Sequence, residues 1–340
     1  MRQIATKDAV GHILCHDITE IVKDVKKDAA FRRGHVIKQE DIEVLHSLGK
    51  FNLFVWEKQE GMMHEEDAAQ ILKKISQNNN MRVSDVKEGK VELFSEIDGL
   101  FQVDVGRVDA INSLGEISMS SRHNNVQVKK GDKVAASRVI PLLIGEDKMD
   151  KVREIGGDAP LFKILPYKPL KAAIVTTGRE ISKGRIKDAF TPVIFKKLEE
   201  YGIYVIAQEL AGDEKEDIKD AILRFCDKGA EIIICTGGMS IDPDDATPGA
   251  IRATGAEAIT YGTPVSPGNM LMLAYLGDIP VVGLPGCVMY EKATIFDIVL
   301  PRLAAGVKMK NEDFAKMGVG GLCLGCKPCF YPACAFGKGC

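Results

Sequence analysis

The chain has 340 residues, enough for two or three domains, and its 45% hydrophobic and 27% charged residues describe a globular protein with ample material for a core. A net charge of −3 gives no electrostatic basis for nucleic acid as a partner, and no stretch approaches the roughly 18 uninterrupted apolar residues that a membrane span needs. The opening Met1-Arg-Gln-Ile-Ala-Thr-Lys-Asp8 lacks the apolar core of a signal peptide, so a cytoplasmic protein is expected.

Residues 1–165 read as a mixed α+β, β-rich domain. Lys38 to Gly49 carries Ile42, Leu45 and Leu48 at helical spacing and closes on a glycine, and Asn52 to Trp56 is strand-like. Glu65 to Ile75 places Ala68, Ala69, Ile71, Leu72 and Ile75 on one helix face, which Gln77-Asn-Asn-Asn80 breaks. From Val83 to Pro141 short alternating runs are separated by Gly and Asp turns, with strands expected at Val91–Phe94 and Leu100–Val105 and a turn feeding a strand at Gly131–Ala136. His12, His16 and His35 read as surface or capping residues rather than ligands. Tyr167-Lys-Pro169 reads as a linker.

Residues 170–308 change character. Lys171–Thr176, Tyr204–Ala207, Ile232–Cys235, Met270–Tyr275 and Ile279–Gly283 are apolar runs of strand length. They alternate with helices expected at Pro192–Tyr201, at Glu214–Lys228 behind Asp213 as cap, after Thr247 (N-cap) and Pro248 (first turn), and from Met289 to about Ala305. This alternation predicts an α/β fold with a doubly wound, mostly parallel sheet.

The strands end in Thr177-Gly178, Gly212-Asp213, Gly237-Gly238 and Pro285-Gly286, and in a parallel sheet such ends converge on one ligand-binding edge. Glu180, Asp188, Asp213 and Asp245 fall at that edge. Clustered carboxylates raise one another's pKa unless a cation compensates, and Mg²⁺ suits hard oxygen donors beside a phosphorylated substrate. Asp213 and Asp245 could equally be helix caps. Arg179, Lys183, Arg185 and Lys187 form a basic loop that either meets an anion or is simply solvated. There is no Gly-x4-Gly-Lys-Ser/Thr phosphate loop and no Gly-x-Gly-x-x-Gly after the first strand.

The stretch Gly237-Gly238-Met239-Ser240 followed by Asp245-Ala-Thr247-Pro248 resembles the signature of the molybdopterin-binding domain, over roughly residues 170–305. Residues 1–60 resemble, more weakly, the start of the molybdopterin molybdotransferases. The resemblance implies a role in molybdenum cofactor biosynthesis: binding of molybdopterin or its AMP conjugate, and insertion of molybdate with Mg²⁺-dependent release of AMP. The alternative is a non-catalytic carrier or sensor that delivers cofactor to a molybdoenzyme.

By the same resemblance Glu180, Asp188, Asp213 and Asp245 are candidate catalytic residues. Thr177, Gly178, Gly237, Gly238, Ser240, Thr247, Pro267, Gly268, Pro285 and Gly286 are candidate ligand contacts, and a homodimer is expected, with Phe51, Phe54 and Trp56 as apolar residues to be covered. The chain departs from the family pattern at Arg179 (for Asp), Phe190 in Asp188-Ala-Phe190 (for Asn), Asn269 (for Lys) and Cys287 (for Asn).

The last 24 residues stand apart. Five of the nine cysteines lie in Cys323-x2-Cys326-x2-Cys329-x4-Cys334-x5-Cys340, where that family carries a C-terminal β-domain. In a reducing compartment such a run points to a metal centre held by Cys323, Cys326, Cys329 and Cys334, a [4Fe–4S] cluster or Zn²⁺. Residues 317–340 hold too few apolar side chains to fold without a staple.

Overall fold

The structure, a computed structural model, describes residues 2–22, 26–55, 60–177, 190–212 and 214–338. They form two compact units, Met1–Glu96 with Val103–Arg122 and Gly131–Lys163, and Ile97–Gln102 with His123–Lys130 and Ile164–Cys340.

The first unit is built on an antiparallel four-stranded sheet in the order Met81–Val83, Lys90–Ser95, Lys133–Val139, Ile117–Ser121. The helix Glu65–Ser76 lies on it, burying Ala68, Ala69, Leu72 and Ile75 as the periodicity predicts. Smaller antiparallel pairs join Arg2–Ala5 to Asn52–Val55 and Ile18–Val22 to Lys26–Phe31. Three expectations need correction. The first helix starts at Asp41 rather than Lys38, because the Asp41 carboxylate accepts the Lys38 N–H at 2.7 Å and meets His35 Nε2 at 2.6 Å. The strand Gly99–Val103 stops short of Val105, where a helix Val105–Asn112 begins with the Asp104 side chain accepting the Arg107 N–H at 3.2 Å. A further helix, Glu146–Gly156, went unread because it buries only Met149, Val152 and Gly156.

One carboxyl in this unit sets a pH dependence. Glu65 is buried, and desolvation pushes its pKa up to about 7 against the opposing pull of Arg138. The neutral acid is the form the fold accepts, so its contribution is fully present below the ordinary carboxylate range and is lost as pH rises through about 7. The unfolding free energy from urea titrations should fall from pH 5 to pH 8 by about 2 kcal/mol more in the native protein than in Glu65→Gln. Equal pH dependence in the two would show that Glu65 is not the responsible group.

The second unit carries the doubly wound sheet. Its strands are β1 (Lys171–Thr176), β2 (Tyr204–Leu210), β3 (Ile232–Thr236), β4 (Glu257–Tyr261), β5 (Met272–Leu276) and β6 (Ile279–Leu284). The order is β2-β1-β3-β6-β5-β4; the first four strands run parallel, and β5 and β4 add antiparallel at the far side. Strands buried on both faces must be apolar throughout, and β1 and β3 are: Ile174, Ile232 and Ile234 face one core, Ala173, Val175, Ile233 and Cys235 the other. On the first face pack α1 (Phe190–Glu199) and α4 (Ile295–Ala304); on the second, α2 (Lys215–Asp227) and α3 (Thr247–Ala253), with α5 (Asn311–Ala315) following α4. Cys235 lies wholly inside, where burial pushes its thiol up to about 12, so it is an inert core residue.

Segments 97–102 and 123–130 join this unit through polar contacts that burial makes strong. Tyr167 Oη donates to the Gly99 carbonyl at 2.9 Å and Tyr201 Oη to Gln127 Oε1 at 2.8 Å.

Two helix boundaries differ from expectation. The segment after β6 is first a 3₁₀ turn, Gly286–Met289, and α4 begins only at Ile295 because Thr294 and Asp297 make a capping box there. Asp213, expected to cap α2, lies outside the described residues, and Glu214 occupies the N-cap without a side-chain bond.

Candidate functional site

The parallel strands are aligned so that Leu210, Thr176, Thr236 and Leu284 stand in one row at the carboxyl edge of the sheet. A parallel sheet leaves its next backbone groups unpaired at this row, so whatever follows must satisfy them. Thr177 does so between β1 and β3: its N–H donates to the Thr236 carbonyl at 2.8 Å, and its hydroxyl reaches the same oxygen at 3.2 Å.

The chain then turns through Gly237 and Gly238, both left-handed at φ 83° and 53°. Gly237 is required twice over. Left-handed backbone penalises any Cβ, and one placed here would overlap the Thr177 carbonyl oxygen and stand 2.7 Å from Thr177 Oγ1.

Thr247 closes this loop from the start of α3. The expectation that it is the N-cap is overturned: Ala246 occupies that position. The buried Thr247 hydroxyl instead donates to the Gly237 carbonyl at 2.8 Å, and its N–H donates to the Gly238 carbonyl at 3.2 Å. The Gly237 carbonyl follows directly on the last residue of β3, Thr236. Thr247→Val, which keeps the shape, should cost about 1–2 kcal/mol by leaving that carbonyl unpaired. Thermal unfolding would test it, and an unchanged midpoint would refute the bond's importance.

Asp245 spans the outer part of the loop. Its Oδ2 accepts the Ser240 N–H at 2.8 Å, while its own N–H donates to the Asp242 carbonyl at 2.9 Å. Tyr261 braces the same loop from β4, its hydroxyl lying 3.1 Å from the Ser240 carbonyl and 3.3 Å from that of Met239. Sequence reading missed Tyr261 together with β4; the signal was the short run Glu257-Ala-Ile-Thr-Tyr261 between Gly255 and Gly262.

Pro267 and Gly268 stand on the α4 side of this edge. The Pro267 carbonyl accepts the Ile295 N–H at 3.1 Å, and Gly268, at φ 117°, packs where a Cβ would overlap Ile295 Cγ2. Asn269 turns back to its own turn: its backbone carbonyl accepts the Thr263 N–H at 2.7 Å and its amide lies 3.5 Å from the Thr263 carbonyl. Pro285 is buried beyond β6, and Gly286 has open space around its α-carbon.

The structure therefore brings Thr177, Gly237, Gly238, Ser240, Asp245 and Thr247 into one hydrogen-bonded loop system, with Pro267, Gly268, Pro285 and Gly286 at strand termini of the same edge. Gly178, Glu180, Asp188 and the basic loop with Arg179, Lys183, Arg185 and Lys187 lie outside the described residues, as do Asp213 and Trp56. Two buried hydroxyls, Thr176 Oγ1 and Thr236 Oγ1, have no described hydrogen-bond partner, although each ends a strand at this row.

Four of the tail cysteines are free thiols, Cys323 and Cys334 half-buried, Cys326 and Cys329 exposed; Cys340 lies outside the described residues. Among the described residues no three His, Cys, Asp or Glu side chains are grouped to hold a metal ion.

A family profile described as "Probable molybdopterin binding domain" matches residues 173–305, and one described as a domain of unknown function matches residues 3–57. A CinA-like protein of Mycobacterium avium is 35% identical over 77 residues, which cover 23% of this chain and 18% of that protein. The chain thus spans less than a fifth of the length of the CinA-like relatives it matches. Among solved structures, the molybdopterin biosynthesis enzyme MoaB of Thermus thermophilus is 20% identical, with a TM-score of 0.33, over 42% of this chain and 98% of that one. A molybdenum cofactor biosynthesis protein of Pyrococcus furiosus is 13% identical, with a TM-score of 0.27, over 90% of this chain and 64% of that one. The profile match over residues 173–305 coincides with the doubly wound sheet and its glycine-opened loop, and over this segment the chain is similar to the probable molybdopterin-binding domain.

Proposed function

We propose that the edge formed by Thr177, Gly237–Ser240, Thr247, Pro267–Gly268 and Pro285–Gly286 binds molybdopterin or its AMP conjugate, and that the protein serves molybdenum cofactor biosynthesis by inserting molybdate with release of AMP. The observation that carries this reading is the loop at Gly237, where the backbone is stripped of side chain and held by two buried threonines at the site of the matched domain. The pterin is held by backbone and hydroxyl groups. Asp245, with Glu180, Asp188 and Asp213, would hold Mg²⁺, which would offset the charge of the phosphate, the role hard oxygen donors suit. Gly178 belongs to the same binding edge. The exposed Phe51, with Phe54, makes the apolar surface of a homodimer.

A second reading has its own support. Asn269 spends its amide on Thr263 at the position where the molybdotransferase pattern has a lysine, so this turn brings no cation to an oxyanion. On that reading the protein binds the pterin and passes it to a molybdoenzyme without chemistry.

Calorimetry with molybdopterin and with its AMP conjugate, followed by assay of AMP after Mg²⁺ and molybdate are added, tests both. Saturable binding with AMP release supports the transferase. Saturable binding without release supports the carrier, and no binding of either pterin refutes both.

A further inference from the structure

The loops around Gly237 occupy the carboxyl edge of the parallel strands; the amino edge holds a separate cleft of about 520 Å³. Leu170 leads into β1, Glu231 leads into β3, and Ile279 opens β6, while Tyr275 stands near the end of the antiparallel β5. Leu303 and Val307, at the end of α4 and in the turn after it, complete an apolar lining with Pro280. Such a volume lies in the range of small-molecule sites.

The cleft carries four charges, and two of them are spent on each other. Lys308 Nζ lies 3.2 Å from Asp278 Oδ1 and 5.2 Å from the centre of the Tyr275 ring. The Tyr275 hydroxyl accepts the Met309 N–H at 3.0 Å, which fixes the ring as part of the lining. The other two charges, Lys168 and Glu231, are of opposite sign, and among the described residues neither enters an ion pair. Both are anchored. Lys168 N–H donates to the Ala304 carbonyl at 2.8 Å, and the Lys168 side chain lies across Gly306 (φ 74°), where a Cβ would overlap its ammonium. Glu231 N–H donates to the Lys171 carbonyl at 2.7 Å, and Glu231 Oε2 accepts the Lys171 N–H at 2.9 Å, which leaves Oε1 without a partner among the described residues.

An ammonium and a carboxylate that do not meet each other, fixed on one apolar cleft, are the complement of a molecule that bears both charges. A polyanion would be repelled by Glu231 and Asp278, and a purely apolar ligand would leave both unpaired charges unmatched. We propose that this cleft binds a free α-amino acid with an apolar side chain, its carboxylate on Lys168 Nζ, its ammonium on Glu231 Oε1 and its side chain over Leu170, Leu303 and Val307. Charges already held in place lose little freedom on binding, which is what exposed ion pairs ordinarily lack. The site lies at the opposite end of the strands from the loop at Gly237 and does not depend on what that loop binds.

Titration calorimetry of the full chain with L-leucine, L-methionine and L-phenylalanine tests the assignment. At least one should bind saturably, and the analogues that lack one charge (for phenylalanine, phenethylamine and 3-phenylpropionate) should bind about tenfold or more weakly, the worth of one charge-assisted contact. Lys168→Met keeps the apolar stem and removes the ammonium; Glu231→Gln keeps an acceptor for the Lys171 N–H and removes the carboxylate. Each should weaken amino-acid binding by about tenfold or more. Both side chains are exposed, so melting temperatures near native are expected and show that the variants fold. Absence of saturable heat with all three amino acids, or equal affinity for the analogues with one charge, overturns the amino-acid class. Native affinity in both variants overturns this cleft as the place of binding.

Discussion

Gly237→Ala is expected to abolish pterin binding and to destabilise the sheet unit by about 3 kcal/mol or more. Two costs add. A left-handed residue with a Cβ costs about 1–2 kcal/mol, and the new methyl would also overlap the Thr177 carbonyl, which belongs to backbone and cannot turn aside. Thr177 would have to move with it, and its two contacts to the Thr236 carbonyl, at 2.8 and 3.2 Å, tie β1 to β3 at this row. Gly202→Ala is the control: its φ is 68°, but nothing lies within 4 Å of the added methyl, so it bears only the conformational cost. Urea unfolding and calorimetry of the two variants side by side decide the matter. Equal losses in both would mean that the crowding at Gly237 is absorbed and that the loop is not a tight cradle.

Asp245→Asn should leave the fold and pterin binding within a few-fold of native while lowering AMP release by about a hundredfold or more. The asparagine oxygen can still accept the Ser240 N–H that Asp245 Oδ2 accepts at 2.8 Å, so the loop keeps its shape. Only the charge is removed, and with it the attraction for Mg²⁺ beside the phosphate. Measuring release against Mg²⁺ concentration separates the two contributions: a loss recovered at high Mg²⁺ points to metal affinity, and a loss at all concentrations points to the chemical step. Native rates in the variant would show that Asp245 is structural and that the catalytic charge lies elsewhere.

The doubly wound domain was legible because its signals are local. Ile232-Ile-Ile-Cys235 has the β-branched, apolar character of a strand buried on both faces, and the glycine pair that follows has the character of a sharp turn. The same locality explains the boundary errors. Met289 follows β6 in helical register, but the chain waits for the Thr294–Asp297 capping box, a bond between side chain and backbone that hydrophobic spacing does not report. Helix Val105–Asn112 was hidden in the same way behind an apolar run that begins as a strand.

The amino-acid order by itself determined where the α/β domain lies, which strands are buried on both sides, and that the Gly237–Gly238 turn stands at their carboxyl edge. Tertiary structure decided which groups meet there. Thr247 looks like a helix cap in the chain, yet its hydroxyl goes to Gly237 ten residues away, and Thr177 stands 3.5 Å from it although seventy residues separate them. It likewise decided that Arg302, one more basic residue in the sequence, is only 7% exposed near the end of α4. Periodicity and turn chemistry act over a few residues and can be read in order. The partner of a buried donor, or the want of one, is fixed only when distant segments pack and exclude water.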